Sequence, residues 1–106
     1  VIKPETKLVK KIKDYLSTYN NAMFLKIHGG PFQQPGISDL IGIIDGRFVA
    51  IEVKMPDAKR GLTLLQKDFI DKVISCGGVA FCARCIEDVM IEFMSYGIEL
   101  EGKRSV

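Results

Sequence analysis

At 106 residues and 11.8 kDa, the chain suits one domain over 1–106 that buries about 65% of its unfolded surface, enough for a single hydrophobic core without staples. Its 47% apolar and 26% charged residues, with 10 Gly and 4 Pro, exclude collagen-like, low-complexity and disordered chains. Lys+Arg 15 against Asp+Glu 13 leave a formal charge of +2, so nucleic-acid binding has to come from local placement of charge.

Pro4 opens a segment in which Leu8, Val9, Ile12, Tyr15, Leu16 and Tyr19 recur at helical spacing, with Lys3, Lys7, Lys10, Lys11 and Lys13 elsewhere on its surface. This predicts an amphipathic helix with a basic side. Ala22 to His28 reads as a strand, and the glycines and prolines of Gly29 to Gly36 read as a loop. Ile37 to Ile44 and Arg47 to Lys54 are strand-like runs around Asp45-Gly46, which predicts an antiparallel hairpin. Met55 to Gly61 breaks the strand. Thr63, three before Gln66, has capping-box spacing for a helix carrying Leu64, Leu65, Phe69, Ile70, Val73 and Ile74 and stopping at Gly77-Gly78. Val79 to Ala83 is a short strand, and Glu87 and Asp88 begin a last helix that ends near Gly97. The expected order is α-β-β-β-α-β-α, a mixed sheet flanked by helices in a small α/β domain.

Three cysteines, Cys76, Cys82 and Cys85, are too few and too odd in number for a disulfide framework, so an intracellular, reducing setting is expected. The apolar run Ile37 to Ile51 is interrupted by Ser38, Asp39, Asp45 and Arg47, well short of the roughly 20 residues of a membrane span. No basic-then-apolar leader stands at Val1. The expectation is a soluble protein with no membrane partner.

The hairpin allows a register calculation. With Asp45-Gly46 as a two-residue turn, Ile44 faces Arg47, and the same register carried outward sets Asp39 opposite Glu52. Alternation places Phe48, Ala50, Glu52 and Lys54 on one face and Val49, Ile51 and Val53 on the other. Facing carboxylates repel and call for compensation. A hard divalent cation supplies it, since Mg²⁺ is commonly held by one or two carboxylates with waters and phosphate oxygens. Lys54 beside them offers a donor to a phosphate or a metal-bound water, an arrangement fit for phosphodiester hydrolysis. The competing reading is an ordinary Glu52–Lys54 ion pair on a half-solvated strand, with Asp39 merely opening the hairpin.

Gly36-Ile37-Ser38-Asp39-Leu40-Ile41-Gly42, Asp45-Gly46-Arg47-Phe48-Val49-Ala50-Ile51-Glu52-Val53-Lys54 and Leu62-Thr63-Leu64-Leu65-Gln66, with Gly77-Gly78 before the last strand, resemble the VRR-Nuc (virus-type replication-repair nuclease) domain of the PD-(D/E)xK superfamily. The resemblance runs over nearly the whole chain. It departs at Ser38, where the family's Pro-Asp would place proline. It implies a restriction-endonuclease-like fold, with Asp39, Glu52 and the Val53 carbonyl as ligands of Mg²⁺ or Mn²⁺, Lys54 as catalytic lysine and Gln66 as a supporting residue. Glu5 matches an acidic residue that related nucleases carry on the first helix near the metal. Similarity to stand-alone, phage-type members implies a homodimer cutting branched DNA such as four-way junctions. A non-catalytic nucleic-acid-binding module and a flap or RNA nuclease are the alternatives.

Each of these residues has a plainer role open to it. Gln66 could be only the reciprocal half of the capping box, and Glu5 only an acid suited to a helix N-terminus. His28 could contact phosphate or simply end a strand. Cys82-Ala83-Arg84-Cys85 has zinc-knuckle spacing, but a closed site needs four ligands and only Cys76 and His28 remain, so a buried strand cysteine followed by one at a helix cap is simpler. Lys7, Lys11, Lys26, Lys59 and Arg60, with Lys103 and Arg104, could line a DNA backbone or be a solvated face. Val89, Met90, Ile91, Phe93, Met94, Tyr96, Ile98 and Leu100 exceed one helix face and its tail, which points to a subunit interface or to a tail folded on its own core.

Overall fold

Proline at the first helical position and Glu5 in the first turn start α1, Pro4–Leu16, whose Val9, Ile12 and Leu16 are buried. The computed structural model describes residues 2–30 and 34–98. Strand β1, Ala22–Lys26, is followed by β2, Leu40–Ile44, and β3, Arg47–Val53. Helix α2, Leu64–Ser75, leads to β4, Val79–Ala83, and α3 spans Ile86–Ser95. The order α-β-β-β-α-β-α expected from the sequence is the order observed. Both early strands are shorter than expected: β1 stops at Lys26 rather than His28, and β2 starts at Leu40 rather than Ile37.

The four-stranded sheet has the order β1-β2-β3-β4, antiparallel from β1 to β3 and parallel between β3 and β4. Asp45 at φ 50° and Gly46 at φ 79° make the tight turn that pairs Ile44 with Arg47. One face, bearing Phe24, Leu40, Ile44, Val49, Ile51, Val53, Val79 and Phe81, packs on α1 and α3 to form the main core. Phe93 of α3 meets both Tyr19 and Phe81 edge to face, with ring centroids 5.6 and 5.8 Å apart. Arg47 Nη1 donates to Tyr96 O at 2.6 Å, tying the hairpin to the C-terminal end of α3, where a cation suits the helix dipole.

The opposite face carries a smaller core in which Ala50 and Ala80 lie under Ile70 and Val73 of α2. Leu64, Leu65 and Ile74 do not join it and stay exposed, because α2 covers only the β3–β4 half of the sheet. Met23, Leu25 and Ile43 are consequently open on the β1–β2 side, and Phe48 at the start of β3 is exposed beside Phe69 and Val73 of α2. On α3, Val89 and Phe93 are core residues, as is Ile98 beyond it, whereas Met90, Ile91 and Met94 are exposed. Leu100, Lys103 and Arg104 lie outside the described residues. No helix among the described residues is long and apolar enough to cross a membrane.

Candidate active site

The β2–β3 ladder closes at Leu40 and Ile51, and its register carried one step outward faces Asp39 with Glu52. At that step a side chain takes over from the backbone. The Lys54 N–H donates to Ala83 O of β4 at 3.1 Å, so alternation turns the Val53 N–H and C=O toward β2. There the Val53 N–H donates to Asp39 Oδ2 at 2.8 Å. Asp39 O in turn accepts from Ile27 N at 2.8 Å. Asp39 is thereby pinned between the end of β1 and the end of β3, with the Val53 carbonyl on the same edge.

Glu52 is 4% exposed, on the α2 side of β3. Its Oε2 accepts from Gln66 Nε2 at 3.1 Å. The same glutamine closes the capping box: its Oε1 accepts from Thr63 N at 2.9 Å, while Thr63 Oγ1 accepts from Gln66 N at 3.2 Å. The two roles open to Gln66 are therefore held together, because fixing Oε1 at the helix start leaves Nε2 facing Glu52. Burial, first, and then the charge and hydrogen bond of Asp39 push the Glu52 carboxyl from 4.5 up to about 8, against the opposing pull of Lys54 and with a further push from Glu5. Burial and the neighbouring carboxylate thus favour the protonated form of Glu52. Lys54 forms no ion pair with it among the described residues, and a buried glutamate bonded to Gln66 is not the half-solvated strand pair of the plainer reading.

A cleft of about 290 Å³ opens beside Asp39, walled by Ile27, Gly29, Gly30, Pro35 and Ile37. Gly36, at φ 89°, lets this wall lean on α2: a Cβ there would stand 2.6 Å from Leu65 O. The loop leading into Asp39 and the helix turn bearing Gln66 therefore touch. Nothing in the spacing of the sequence announces this contact, although a glycine just before Ile37 is its trace.

The other expected residues are dispersed. Glu5 is exposed in the first turn of α1, near enough for its charge to act on Glu52. Among the described residues, however, no three His, Cys, Asp or Glu side chains gather as a metal cage. Glu5 therefore lies near the Asp39–Glu52 pair without forming such a group with it. Lys7 and Lys11 are exposed on that helix. Lys26 alternates with Phe24 toward the same side, and His28 is exposed beyond the end of β1. Lys59 and Arg60 are exposed in the connection from Lys54 to α2, between the two elements that hold Glu52.

Three features escaped the sequence reading. Ser38 is 1% exposed and its Oγ has no hydrogen-bond partner among the described residues. Cys82 lies beside Glu52 in the β3–β4 register, and burial pushes its thiol up. Arg84 bonds the carbonyls of Met55 and Ala58; its position between two cysteines in the sequence gave no hint of this. Compared with protein-family models, curated proteins and solved structures, the chain has no match in any of the three.

The donor set suits a hard divalent ion. Asp39, Glu52 and the Val53 carbonyl are all oxygen donors, and the facing carboxyl groups, of which Glu52 is buried, favour a positive charge between them. Two side-chain ligands leave the remaining positions to water and phosphate oxygens, the usual division for Mg²⁺.

Proposed function

We propose that this chain is a metal-dependent endonuclease of the VRR-Nuc type that hydrolyses phosphodiester bonds in branched DNA, including four-way junctions. The observation that carries the reading is the Asp39–Glu52 pair: two carboxyl groups brought together at a strand end, one of them buried with its carboxyl pushed up, and a lysine just past the end of β3. A structural pair alone would be an expensive way to end a hairpin, since each carboxylate destabilises the other. The motifs quoted above for the nuclease family converge on the same residues.

Mg²⁺ or Mn²⁺, when held by Asp39, Glu52 and the Val53 carbonyl, would provide a water of lowered pKa and neutralise charge on the phosphate. Glu52 would hold the ion as a carboxylate, its proton having passed to solvent. Asp39 is kept in place by the Val53 N–H, and Gln66 holds one oxygen of Glu52, so neither carboxylate has to be ordered during the reaction. Lys54 provides an ammonium for the negative charge that grows on the phosphate oxygens. Lys59 and Arg60, on the connection that follows, serve the DNA backbone. With one such site per chain, paired nicks in opposed strands call for a symmetric homodimer.

The test is incubation of labelled four-way, flap and linear DNA and of RNA with the protein, with and without Mg²⁺ or Mn²⁺. Cleavage of the four-way junction that needs the metal, in preference to linear DNA, is expected. DNA binding without cleavage in either metal would leave a binding module, and preferred cutting of flaps or RNA would move the substrate class.

A further inference from the structure

Between Lys54 and Thr63 the chain crosses from the end of β3 to the start of α2 without helix or strand. Inside this connection the Ala58 N–H closes a turn on Met55 O at 3.1 Å. Arg84, the residue after β4, grips that turn from outside: its Nη1 donates to Met55 O at 2.7 Å and to Ala58 O at 3.2 Å. Arg84 is itself anchored, since its backbone N–H donates to Asp88 Oδ2 of α3 at 2.8 Å. Lys54 lies between two fixed points on the β4 side. Its own N–H is held by Ala83 O, and the carbonyl of the next residue by the Arg84 guanidinium.

A half-buried arginine spent on two neutral carbonyls is costly to desolvate, and those donors are no longer free for a phosphate. We propose that Arg84 is a positioning residue for cleavage: by bridging Met55 and Ala58 it fixes the backbone from which the Lys54 ammonium reaches the phosphate, and so governs turnover rather than DNA affinity. This rests on the nuclease reading above. It gives a signature opposite to that of an arginine bound to DNA, whose loss weakens affinity and flattens the salt dependence of binding.

The experiment compares wild type, Arg84→Lys and Arg84→Gln in Mn²⁺-dependent cleavage of labelled four-way DNA at saturating protein, in DNA affinity measured in EDTA, and in amide exchange at Ala58. Lysine keeps the charge but ends one atom short of Nη1, the single nitrogen that makes both bonds; glutamine removes the half-buried charge, in case lysine folds poorly. The expected result is a fall of roughly 10- to 100-fold in the cleavage rate, affinity and salt dependence near wild type, and faster exchange at Ala58. An unchanged rate, or weaker binding with an unchanged rate, overturns the role of Arg84 alone. A wild type that cuts none of the DNAs in either metal removes the nuclease reading, and this role with it.

Discussion

Burial and the facing Asp39 push the Glu52 carboxyl up to about 8, and this makes the fold less stable as pH rises. That folded pKa stands above the ordinary 4.5, so the folded state binds the proton more tightly than the unfolded one. The resulting stabilisation is full below pH 4.5 and is lost as pH rises through about 8. In EDTA, the melting temperature of the wild type should therefore decline across that window, and Glu52→Gln, which carries no charge to bury, should decline less and be the more stable protein near pH 9. Parallel profiles for the two proteins would contradict this origin. With Mn²⁺ present the order reverses: wild type gains stability on binding the ion, while Glu52→Gln gains less and does not cut DNA. Lys54 is predicted to act on the chemical step. Lys54→Ala should lose about 100-fold or more in rate, the usual effect of deleting a donor to developing charge, with DNA affinity nearly kept. A collapse of affinity at an undiminished rate would make Lys54 a phosphate anchor instead.

At the scale of elements, the site depends on how the start of α2 meets the loop before β2. Gly36 and Gly46 have similar backbone angles, φ 89° and φ 79°, but a Cβ at Gly46 meets open space whereas one at Gly36 meets Leu65 O at 2.6 Å. Both alanine variants bear the left-handed penalty of roughly 1–2 kcal/mol. Gly36→Ala should cost more in chemical denaturation, and should also slow cleavage by moving Asp39 relative to Gln66, while Gly46→Ala leaves cleavage near wild type. Equal losses of stability would mean that the close approach to α2 is not needed. Thr63→Ala removes one half of the capping box, about 1 kcal/mol. It also frees the turn that aims Gln66 at Glu52, so a loss of rate should accompany the loss of stability.

At the scale of the whole molecule, the two sheet faces are covered unequally. The face toward α1 and α3 holds the main core, whereas α2 shelters only half of the other and leaves Met23, Leu25, Ile43 and Phe48 exposed. A second apolar patch, Met90, Ile91 and Met94 on α3, borders a cleft of about 160 Å³ formed with Tyr19 and Ile98. The homodimer read from the excess of apolar residues around α3 thus has less material there than expected, since Val89, Phe93 and Ile98 are taken up by the core. Light scattering at micromolar concentration is expected to give twice the 11.8 kDa of one chain. Leu25→Lys and Met94→Lys then show which patch holds the pair, by producing a monomer in one case only. A wild-type monomer, both alone and on junction DNA, would refute the dimer and favour a flap-cutting nuclease.

Several of these features were legible in the sequence because they are set by neighbours along the chain. The Asp45-Gly46 turn determines the pairing of Ile44 with Arg47 and hence the meeting of Asp39 with Glu52; alternation determines which face Glu52 takes; the spacing of Thr63 and Gln66 determines the cap. Local rules reach no further than this. Whether Glu52 is a solvated strand residue or a buried acid depends on α2 lying across it, and α2 lies there through Ala50 and Ala80 beneath Ile70 and Val73, which are distant in sequence. The same packing left Leu64, Leu65 and Ile74 outside despite their helical spacing, since a helix buries only the stripe that its tilt over the sheet selects. Periodicity likewise could not decide that Glu5 comes near enough to act on Glu52, or that Arg84 closes on the carbonyls of Met55 and Ala58, because the direction of a side chain between elements is settled only when those elements dock.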